Sequence, residues 1–580
     1  MEMNYDDKEL HQIEEELHVE ILPGTEVMAD IGTHHFVKAE GHGNRVLVPQ
    51  PSDDPHDPLN WSIGWKAACI TASTWTTFTQ GFGPLALAPM FPYYIEEFNC
   101  TLEEAVQFTG VCILVLGFSN FIWVPLSSSF GRRFVYITSQ VVNLGSMIWR
   151  AEAHSYGSFM GACVLNGIAA GPAESIQPAV IADIFFLHDR GKWNTLYWTA
   201  YMGSLMVAPI ISGPMADTVG WRAFWWLNVA MIALSIAMNA TMFPETKWHR
   251  KHPKEIIREA REAQEAAKAS GNDSSAKPTD EKLERAPSSS SQSKREDING
   301  IAQVPTAMSR IAAQEGLTKV PTADQDPWLG RGSPKKSQWN LIQPNKNPFK
   351  SILLDLFIPW KLFLFPIVEF SAFVVSWACS TFLQINLTQS QAFEAPPYNF
   401  SAQSIGFMNF AILVGALIGL ATAGPLSDWV SARATRRNRG IREPEMRLPA
   451  MIPYVIIMFV GAIINCVGYD NHWPWEAIVI VGFTTCGITV ASLPAIATTY
   501  AIDSYKPVAG SLMVAITVNK NVWGYGLSKF ITEWAISDGF VAPIMTNSAL
   551  CLVFCLFGIL FYYKGKTIRR WSKNSSVHSF

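Results

Sequence analysis

The chain has 580 residues, of which 49% are hydrophobic and 16% are charged, with 34 Phe and 21 Trp. This composition is too apolar for an ordinary soluble domain of that length. The formal net charge of −4 is close to balance and gives no reason to expect a nucleic-acid partner.

The apolar residues are gathered in stretches of about 20, the length that an α-helix needs to cross roughly 30 Å of hydrocarbon. We therefore predict an all-α membrane protein with about twelve transmembrane helices, arranged as two six-helix pseudo-repeats. The predicted spans of the first block are 66–90, 106–127, 134–152, 157–185, 193–214 and 222–243. The predicted spans of the second block are 359–386, 402–425, 448–469, 474–502, 508–533 and 541–563.

The spans divide the chain into five regions. They are a cytoplasmic N-terminal segment (1–65), a first six-helix bundle (66–243), a cytoplasmic linker (244–358), a second six-helix bundle (359–563) and a cytoplasmic tail (564–580). The linker contains "APSSSSQSKRED", which is rich in Ser, Pro and charge and cannot bury enough apolar surface to fold. We expect it to be largely disordered, and we interpret it as a spacer, with a phosphorylated regulatory segment as the alternative.

The distribution of Lys and Arg predicts the orientation. Alternate connections are basic, beginning with Arg132 and Arg133, so the positive-inside rule places both termini in the cytoplasm. Three sequons fall in connections that this topology puts outside, and they are candidates for glycosylation: Asn99, Asn386 and Asn399. Thr101 and Glu104 have the spacing of a capping box, which predicts the start of the second span.

The two halves share a sequence pattern. "NCTLEEAVQFTGVCILVLG" leads into "VPLSSSFGRR" (124–133), and "NFSAQSIGFMNFAILVG" leads into "AGPLSDWVSARATRR" (423–437). In each half a sequon, a helix start, an apolar span and a basic hinge follow in the same order. Such a duplication, with the binding site between the halves, is a common plan of secondary transporters.

These repeats, together with "DPLNW", "AGPAESIQPAVIADIFFLHDRG", "GWRAFWWLN", "PEMRL" and "TYAIDSY", resemble the major facilitator superfamily, in particular fungal twelve-helix drug:proton antiporters. The resemblance covers about Leu59 to Tyr562. It implies gradient-driven transport of a small molecule across a lipid bilayer, with a proton gradient as the driving force and no cofactor. It also implies a monomeric, multi-pass protein, which we expect in the plasma membrane.

The resemblance also implies roles for individual residues. The loops expected to switch between conformations contain Gly131, Arg132, Arg133, Gly424 and Asp428. The first of these loops has Ser128 where the family has an acidic residue, so we expect its contribution to come from the glycine and the two arginines. In the fourth span Cys163 stands where the family has an arginine. The fifth span carries a motif similar to that of antiporters, formed by Gly203, Pro209 and Gly213.

Polar groups inside the spans are the candidates for binding substrate or protons, because an ionisable side chain in hydrocarbon is costly and turns toward the interior. The candidates are Glu174, Glu369, Asn166, Asp503, Lys520, Ser376 and Trp377. We expect Glu174 to be the most important carboxylate, with Glu369 facing it across a central cavity. Helix packing is the alternative for the polar stripes, and a partner at a helix end is the alternative for Asp503 and Lys520.

The sequence favours a transporter over the other classes of membrane protein. It contains no nucleophile elbow, no HExxH and no glycine-rich phosphate loop, so we do not expect an enzyme, and its nine cysteines show no metal-ligand spacing. Efflux of a small amphipathic molecule, such as a drug or secondary metabolite, is the preferred interpretation. Uptake of polyamines or other organic cations is the first alternative, and a non-transporting nutrient sensor is the second.

Overall fold

The computed structural model describes residues 26–27, 52, 54–248, 328–345, 347–438, 441–505 and 508–572. The helices of the first half are α1 (Ile63–Phe82), α2 (Phe91–Phe98), α3 (Leu102–Phe130), α4 (Arg132–Ala151), α5 (Tyr156–Ala170), α6 (Pro172–Ser175), α7 (Gln177–Ile184), α8 (Leu187–Thr218) and α9 (Trp221–Met242). The later helices are α10 (Pro348–Leu362), α11 (Pro366–Phe393), α12 (Ala402–Arg437), α13 (Ile452–Asp470), α14 (Thr484–Ser504), α15 (Ala509–Asp538) and α16 (Val541–Ser572). Two short strands, β1 (Glu26–Val27) and β2 (Ile441–Arg442), pair antiparallel.

These helices form twelve long rods, six on each side of residues 249–327, which confirms the predicted all-α membrane fold. Among the described residues, seven of these rods are long and apolar enough by themselves to cross a bilayer. Others fall short because they contain more polar residues: α1 is rich in threonine, and α4 begins with two arginines. Two rods of the second half begin with a segment that is not α-helical. A 3-10 helix, Pro444–Met451, precedes α13, and a π-helix, Ala477–Phe483, precedes α14.

The fourth rod is broken into three helices, although the sequence predicts one span over 157–185. The breaks come at Pro172 and at Pro178, because proline has no N–H to donate and its ring obstructs the preceding turn. Between the breaks lies the four-residue helix α6, and all four of its residues are buried. The break therefore places Glu174 on a short, separately held segment.

The predicted seventh span, 359–386, is displaced from the observed helix α11 by about a quarter of its length. The apolar run contains two helices, because Phe365 is extended and Pro366 begins α11. As a result Asn386 lies inside α11 and is 1% exposed, so the prediction of a glycosylation site there is wrong. Asn99 and Asn399 are exposed, at left-handed φ angles of 50° and 51°, and their glycosylation remains a prediction.

The bundle has two ends, which we name by their residues. The hinge end carries Gly131 and Asp428, and the far end carries Asn99 and Asn399. Helix α3 begins at the far end, where the predicted capping box is confirmed: the Thr101 hydroxyl accepts from the Glu104 N–H at 3.2 Å.

The two halves touch at close helix crossings. Helix α3 crosses α15, and α8 crosses α12. A Cβ on Gly213 of α8 would lie 2.4 Å from the Ala402 carbonyl oxygen, and one on Gly406 would lie 2.7 Å from the Pro209 carbonyl oxygen. Small residues permit this approach, as they do between other membrane helices. Near the far end the Ser390 hydroxyl donates to the Ala88 carbonyl oxygen at 2.9 Å, so the halves are in direct contact there.

The last helix, α16, continues to Ser572, beyond the predicted end of the span at 563. Arg569 lies on this extension with its side chain fully buried, and it pairs with Glu443 at 2.5 Å and with Glu445 at 2.8 Å. Part of the predicted tail is therefore packed against the hinge end of the second half.

Candidate substrate and proton site

A cavity lies between the two halves. Most of its wall is apolar, and residues of both halves contribute to it. The first half supplies Leu85, Leu116, Met202 and Leu205, and the second half supplies Cys379, Ser380, Phe382 and Leu383. The wall can therefore accept the hydrophobic body of a small organic molecule.

A single ion pair gives this cavity its charge. Glu174, which is 3% exposed, accepts hydrogen bonds from the Tyr201 hydroxyl and the Lys520 ammonium on Oε1 and from the Asn521 amide on Oε2, the last at 3.2 Å. Lys520 and Asn521 belong to α15, so the carboxylate of the first half is held by donors of the second half. Three donors on two oxygens compensate for the water that this carboxylate loses on burial.

Neighbouring helices fix the short helix that carries Glu174. The Tyr197 hydroxyl of α8 donates to the Ala173 carbonyl oxygen at 2.8 Å, and the Ser175 hydroxyl donates to the Asn120 side chain at 2.6 Å. Both contacts hold the short helix to its neighbours. The carboxylate thus has a defined position between the halves.

Three of the predicted site residues pack within one half instead. Asn166 accepts from the Cys112 thiol at 3.2 Å and donates to Asn143 at 2.8 Å, so it belongs to a buried network of the first half. Ser376 donates to the Ala372 carbonyl oxygen of its own helix at 2.6 Å. The ring of Trp377 lies 5.1 Å from that of Trp523. None of these side chains lines the cavity, so the structure favours the helix-packing alternative.

Glu369 does not face Glu174, and that expectation is wrong. It lies in the first turn of α11, ten residues before Cys379 in the cavity wall, which is about 15 Å along the helix axis. Its Oε1 atom has no hydrogen-bond partner among the described residues. The partner that the second half provides for Glu174 is Lys520. The sequence therefore identified Glu174 and Lys520 as candidates but paired Glu174 with Glu369.

Asp503 takes part in the second hinge and not in the cavity. Arg447 pairs with Asp428 at 2.8 Å and with Asp503 at 2.9 Å. The acidic residue of this hinge therefore engages a basic partner. Gly424 has a different role from the predicted one: it lies within α12, and a Cβ there would meet no atom within 4 Å, so no tight turn requires it.

The first hinge contains an acidic residue that the sequence analysis missed. Glu245, which follows the sixth rod, accepts from the backbone N–H of Arg132 at 2.9 Å and from that of Arg133 at 3.1 Å. It thereby caps the start of α4, where the helix dipole favours negative charge. Burial raises the pKa of Glu245, while these N–H donors act in the opposite direction. The expectation that this hinge has no acidic component is wrong, because the carboxylate comes from a distant position in the chain.

Gly131 itself adopts a φ of +109°, and a Cβ there would lie 2.2 Å from the Glu245 Oε2 atom. Both the backbone conformation and the position of the carboxylate therefore require glycine. Arg132 forms an ion pair with Asp183 at 3.4 Å, and Arg133 is 6% exposed with its guanidinium over the ring of Trp339.

Residues at both ends of the predicted linker contact the first hinge. Residues 249–327, for which the sequence predicts disorder, lie outside the described residues. At the N-terminal end of the linker, the Lys247 ammonium contacts the Asn345 side chain and the Ser128 carbonyl oxygen. At the C-terminal end of the linker, the Gln343 N–H donates to the Phe130 carbonyl oxygen at 2.9 Å, and the Asn345 N–H donates to the Ser129 carbonyl oxygen at 3.0 Å.

The antiporter-like motif lies on α8, at the crossing between the halves. Gly213 and the carbonyl group of Pro209 form the contact with α12 described above, whereas a Cβ on Gly203 would meet no atom within 4 Å. The motif therefore contains two residues that the crossing needs and one that it does not.

Sequence reasoning missed three further groups. Tyr201 and Asn521 carry no charge and so gave no signal of their own, although Asn521 adjoins Lys520. Arg150 is fully buried and lies 4.6 Å from the ring of Trp225 and 3.7 Å from the Cys112 sulfur. Its position near the predicted end of the third span hid its burial. Arg150 also interacts with Cys163, so a basic group from α4 occupies the neighbourhood in which the family has an arginine on the fourth span.

Comparison with known proteins gives a consistent result. A relative in Schizosaccharomyces pombe, "Uncharacterized MFS-type transporter C1271.10c", is 25% identical, with 96% of this chain and 94% of that protein covered. "Protein HOL1" of Saccharomyces cerevisiae is 27% identical, with 92% of each chain covered. "MFS antiporter QDR3" of Candida albicans is 23% identical, with 88% of this chain and 79% of that protein covered.

Among solved structures, the proton:xylose symporter XylE bound to 6-bromo-6-deoxy-D-glucose has the same fold. Its TM-score is 0.53 at 13% identity, with 87% of this chain and 97% of that chain covered. The family model described as Major Facilitator Superfamily matches residues 73–527. Since this match extends over both halves and the cavity between them, the chain belongs to the major facilitator superfamily and is a membrane transporter, not an enzyme.

Proposed function

We propose that this transporter exports a small amphipathic organic molecule in exchange for protons, by alternating access of the central cavity. The observation that carries the proposal is the cavity itself, which has a mainly apolar wall and one ion pair, between Glu174 and Lys520, that joins the two halves. The apolar wall suits a hydrophobic solute, and the ion pair supplies a carboxylate that either a proton or a solute cation can neutralise.

The coupling follows from the energetics of a buried pair. Removing one charge from such a pair leaves the other uncompensated in a medium of low dielectric constant, which is strongly unfavourable. A cationic group of the solute can take the place of Lys520 on the Glu174 carboxylate, and a proton can then take the place of the solute. Because only one of them neutralises the carboxylate at a time, proton binding and solute binding exclude each other, as antiport requires.

Uptake of polyamines is the second candidate, since Glu174 would also attract a polycation. Lys520 disfavours it, because a solute with several positive charges would have to enter beside a cation that contacts the same carboxylate. The word "antiporter" in the name of the Candida albicans relative supports exchange.

Flux measurements in proteoliposomes test the proposal. With an imposed pH gradient, we expect rhodamine 6G, a lipophilic cation, to move against the proton flow, and we expect labelled spermidine to move little. Glu174→Gln should abolish gradient-driven accumulation and leave exchange of labelled dye partly intact, because glutamine resembles the protonated acid in size. Glu369→Gln is the matched control, because Glu369 lies outside the cavity, and it should behave like wild type.

Three outcomes would contradict this assignment. Normal gradient-driven accumulation by correctly inserted Glu174→Gln protein would remove Glu174 from the coupling step. Preferential accumulation of spermidine would favour polyamine transport. Flux of neither probe by the wild-type protein would exclude a lipophilic cation as the substrate class.

We also propose that the hinge end and both termini face the cytoplasm and that the protein acts in the plasma membrane. The excess of Lys and Arg in the connections at the hinge end supports this orientation. An epitope inserted near Ser290 should be inaccessible to antibody in intact cells and accessible after permeabilisation. Staining of intact cells would show the opposite orientation.

A further inference from the structure

Asn386 of α11 is buried in an unusual way. Its side chain is 1% exposed, and among the described residues neither the Nδ2 nor the Oδ1 atom has a hydrogen-bond partner. Buried amides are almost always paired, because an unpaired donor or acceptor loses its bonds to water without replacement. The contacts of this conformation therefore give no reason for an amide at this position.

Its place on the helix indicates where a partner would come from. Residues separated by three, four or seven positions share one face of an α-helix. Leu383 and Cys379, three and seven positions earlier, line the cavity, and Ser390, four positions later, bonds to Ala88 of the other half. Asn386 therefore lies on the face of α11 directed at the first half, between the cavity and the contact that closes the far end.

We propose that Asn386 is a polar contact on the solute path between the central cavity and the far end. When the contacts at the far end separate, its amide becomes accessible and exchanges hydrogen bonds with the passing solute. This inference rests on the proposed function, in that it assumes transport through the cavity, and it adds the exit path and one feature of the substrate.

The chemistry of the amide defines that feature. An amide offers one donor group and one acceptor and carries no charge, so it recognises a neutral polar group such as a hydroxyl, a carbonyl or an uncharged amine. Asn386 is about 10 Å along the helix axis from Cys379 in the cavity wall. The preferred substrate class is therefore an amphipathic cation that also carries an uncharged hydrogen-bonding group.

Thiol labelling tests the path without any substrate. Asn386→Cys and Ile385→Cys place a thiol at adjacent positions that are 1% and 2% exposed and that point about 100° apart around the axis of α11. With a membrane-impermeant maleimide, and after subtraction of labelling at the nine native cysteines, we expect Asn386→Cys to react at least about fivefold faster. Adding Gly406→Val, which obstructs the crossing of α8 and α12, should raise the rate at position 386 and not at 385. Equal rates at the two positions in both backgrounds would overturn the proposal.

Transport of rhodamine 6G tests the solute contact. Asn386→Ala should raise the half-saturating concentration about threefold to tenfold, the effect of losing one ordinary hydrogen bond. Thr388→Ala is the matched control, because it destroys the same sequon and leaves the amide in place, and it should stay within about twofold of wild type. An unchanged half-saturating concentration for Asn386→Ala would overturn the contact. Failure of the wild-type protein to move the dye would overturn the proposed function instead, while the labelling result would still decide the position of Asn386.

Discussion

At the scale of single residues, the ion pair between Glu174 and Lys520 is the feature most sensitive to change. Both groups lie in a mainly apolar cavity, and each is the charged partner of the other. Breaking such a pair costs more than replacing both partners, because a single replacement leaves one buried charge.

We therefore expect Lys520→Met to lower the free energy of unfolding by about 3–5 kcal/mol. The double variant Glu174→Gln/Lys520→Met should recover most of that loss, since no unpaired charge remains, and should still lack proton-driven transport. Thermal unfolding of the purified proteins in detergent, together with flux in proteoliposomes, checks both statements. A double variant no more stable than Lys520→Met would show that the two charges are not coupled.

The two hinge glycines give a second test at this scale. Gly131→Ala should cost about 1–3 kcal/mol and slow transport, because Gly131 has a φ of +109° and its added Cβ would clash with Glu245. Gly424→Ala should be neutral or stabilising by up to about 1 kcal/mol, because Gly424 lies inside α12 with free space around it. Unfolding midpoints and transport rates at equal surface expression measure the difference. Equal effects of the two substitutions would contradict this reading of the hinges.

At the scale of helices, the sequence predicts what depends on local pattern and misses what depends on contacts. The twelve rods and the capping box at Thr101 follow from apolar length and short spacing, and both are confirmed. The division of the seventh apolar run at Pro366 was missed because the run is continuous in hydropathy. The pairing of Glu174 with Lys520 joins residues 346 positions apart, and no local pattern encodes it.

The crossing of α8 and α12 provides a prediction for this scale. Gly213→Val should reduce transport at least about tenfold, because its side chain would meet the Ala402 backbone and hold the halves apart at this point. Gly203→Val, on the same helix, has no atom within 4 Å of the added Cβ and should retain most activity. Initial rates in proteoliposomes compare the two variants, and similar rates would show that the crossing need not close tightly.

At the scale of the whole molecule, the far end contains carboxyl groups from both halves. Asp217 of α8 accepts from the Tyr93 hydroxyl and, at 2.9 Å, from the Gln403 N–H of the other half. Glu394 follows α11, and burial together with the nearby Asp217 raises the pKa of its carboxyl from 4.5 to about 7. Glu96 and Tyr93 are the other titratable groups of this cluster, and burial raises the pKa of Tyr93 to about 12, so its hydroxyl stays protonated.

This arrangement predicts that pH controls closure of the far end. The closed form binds the Glu394 proton more tightly than a form in which the halves are apart, so closure is most favoured below the ordinary pKa of 4.5 and weakens as the pH rises from there to the raised pKa of about 7. Between the two pKa values the effect approaches tenfold for each pH unit. The labelling rate of Asn386→Cys divided by that of Ile385→Cys at the same pH, a ratio that cancels the intrinsic pH dependence of thiol reactivity, should therefore be higher at about pH 8 than at about pH 5.5. Glu394→Gln should remove this dependence, and its persistence in that variant would assign the effect to another group.

The contacts of Lys247 and Asn345 have a consequence for the connection between the halves. These residues lie on either side of 249–327 and touch each other at the first hinge, so the intervening chain leaves and returns at one place. Its length should then have little influence on how the halves are arranged, because the ends are held together by the folded part and not by the segment between them. A cut or a long insertion within 249–327 should be tolerated, and a chain severed there should still co-purify as two fragments with the transport rate of the intact protein.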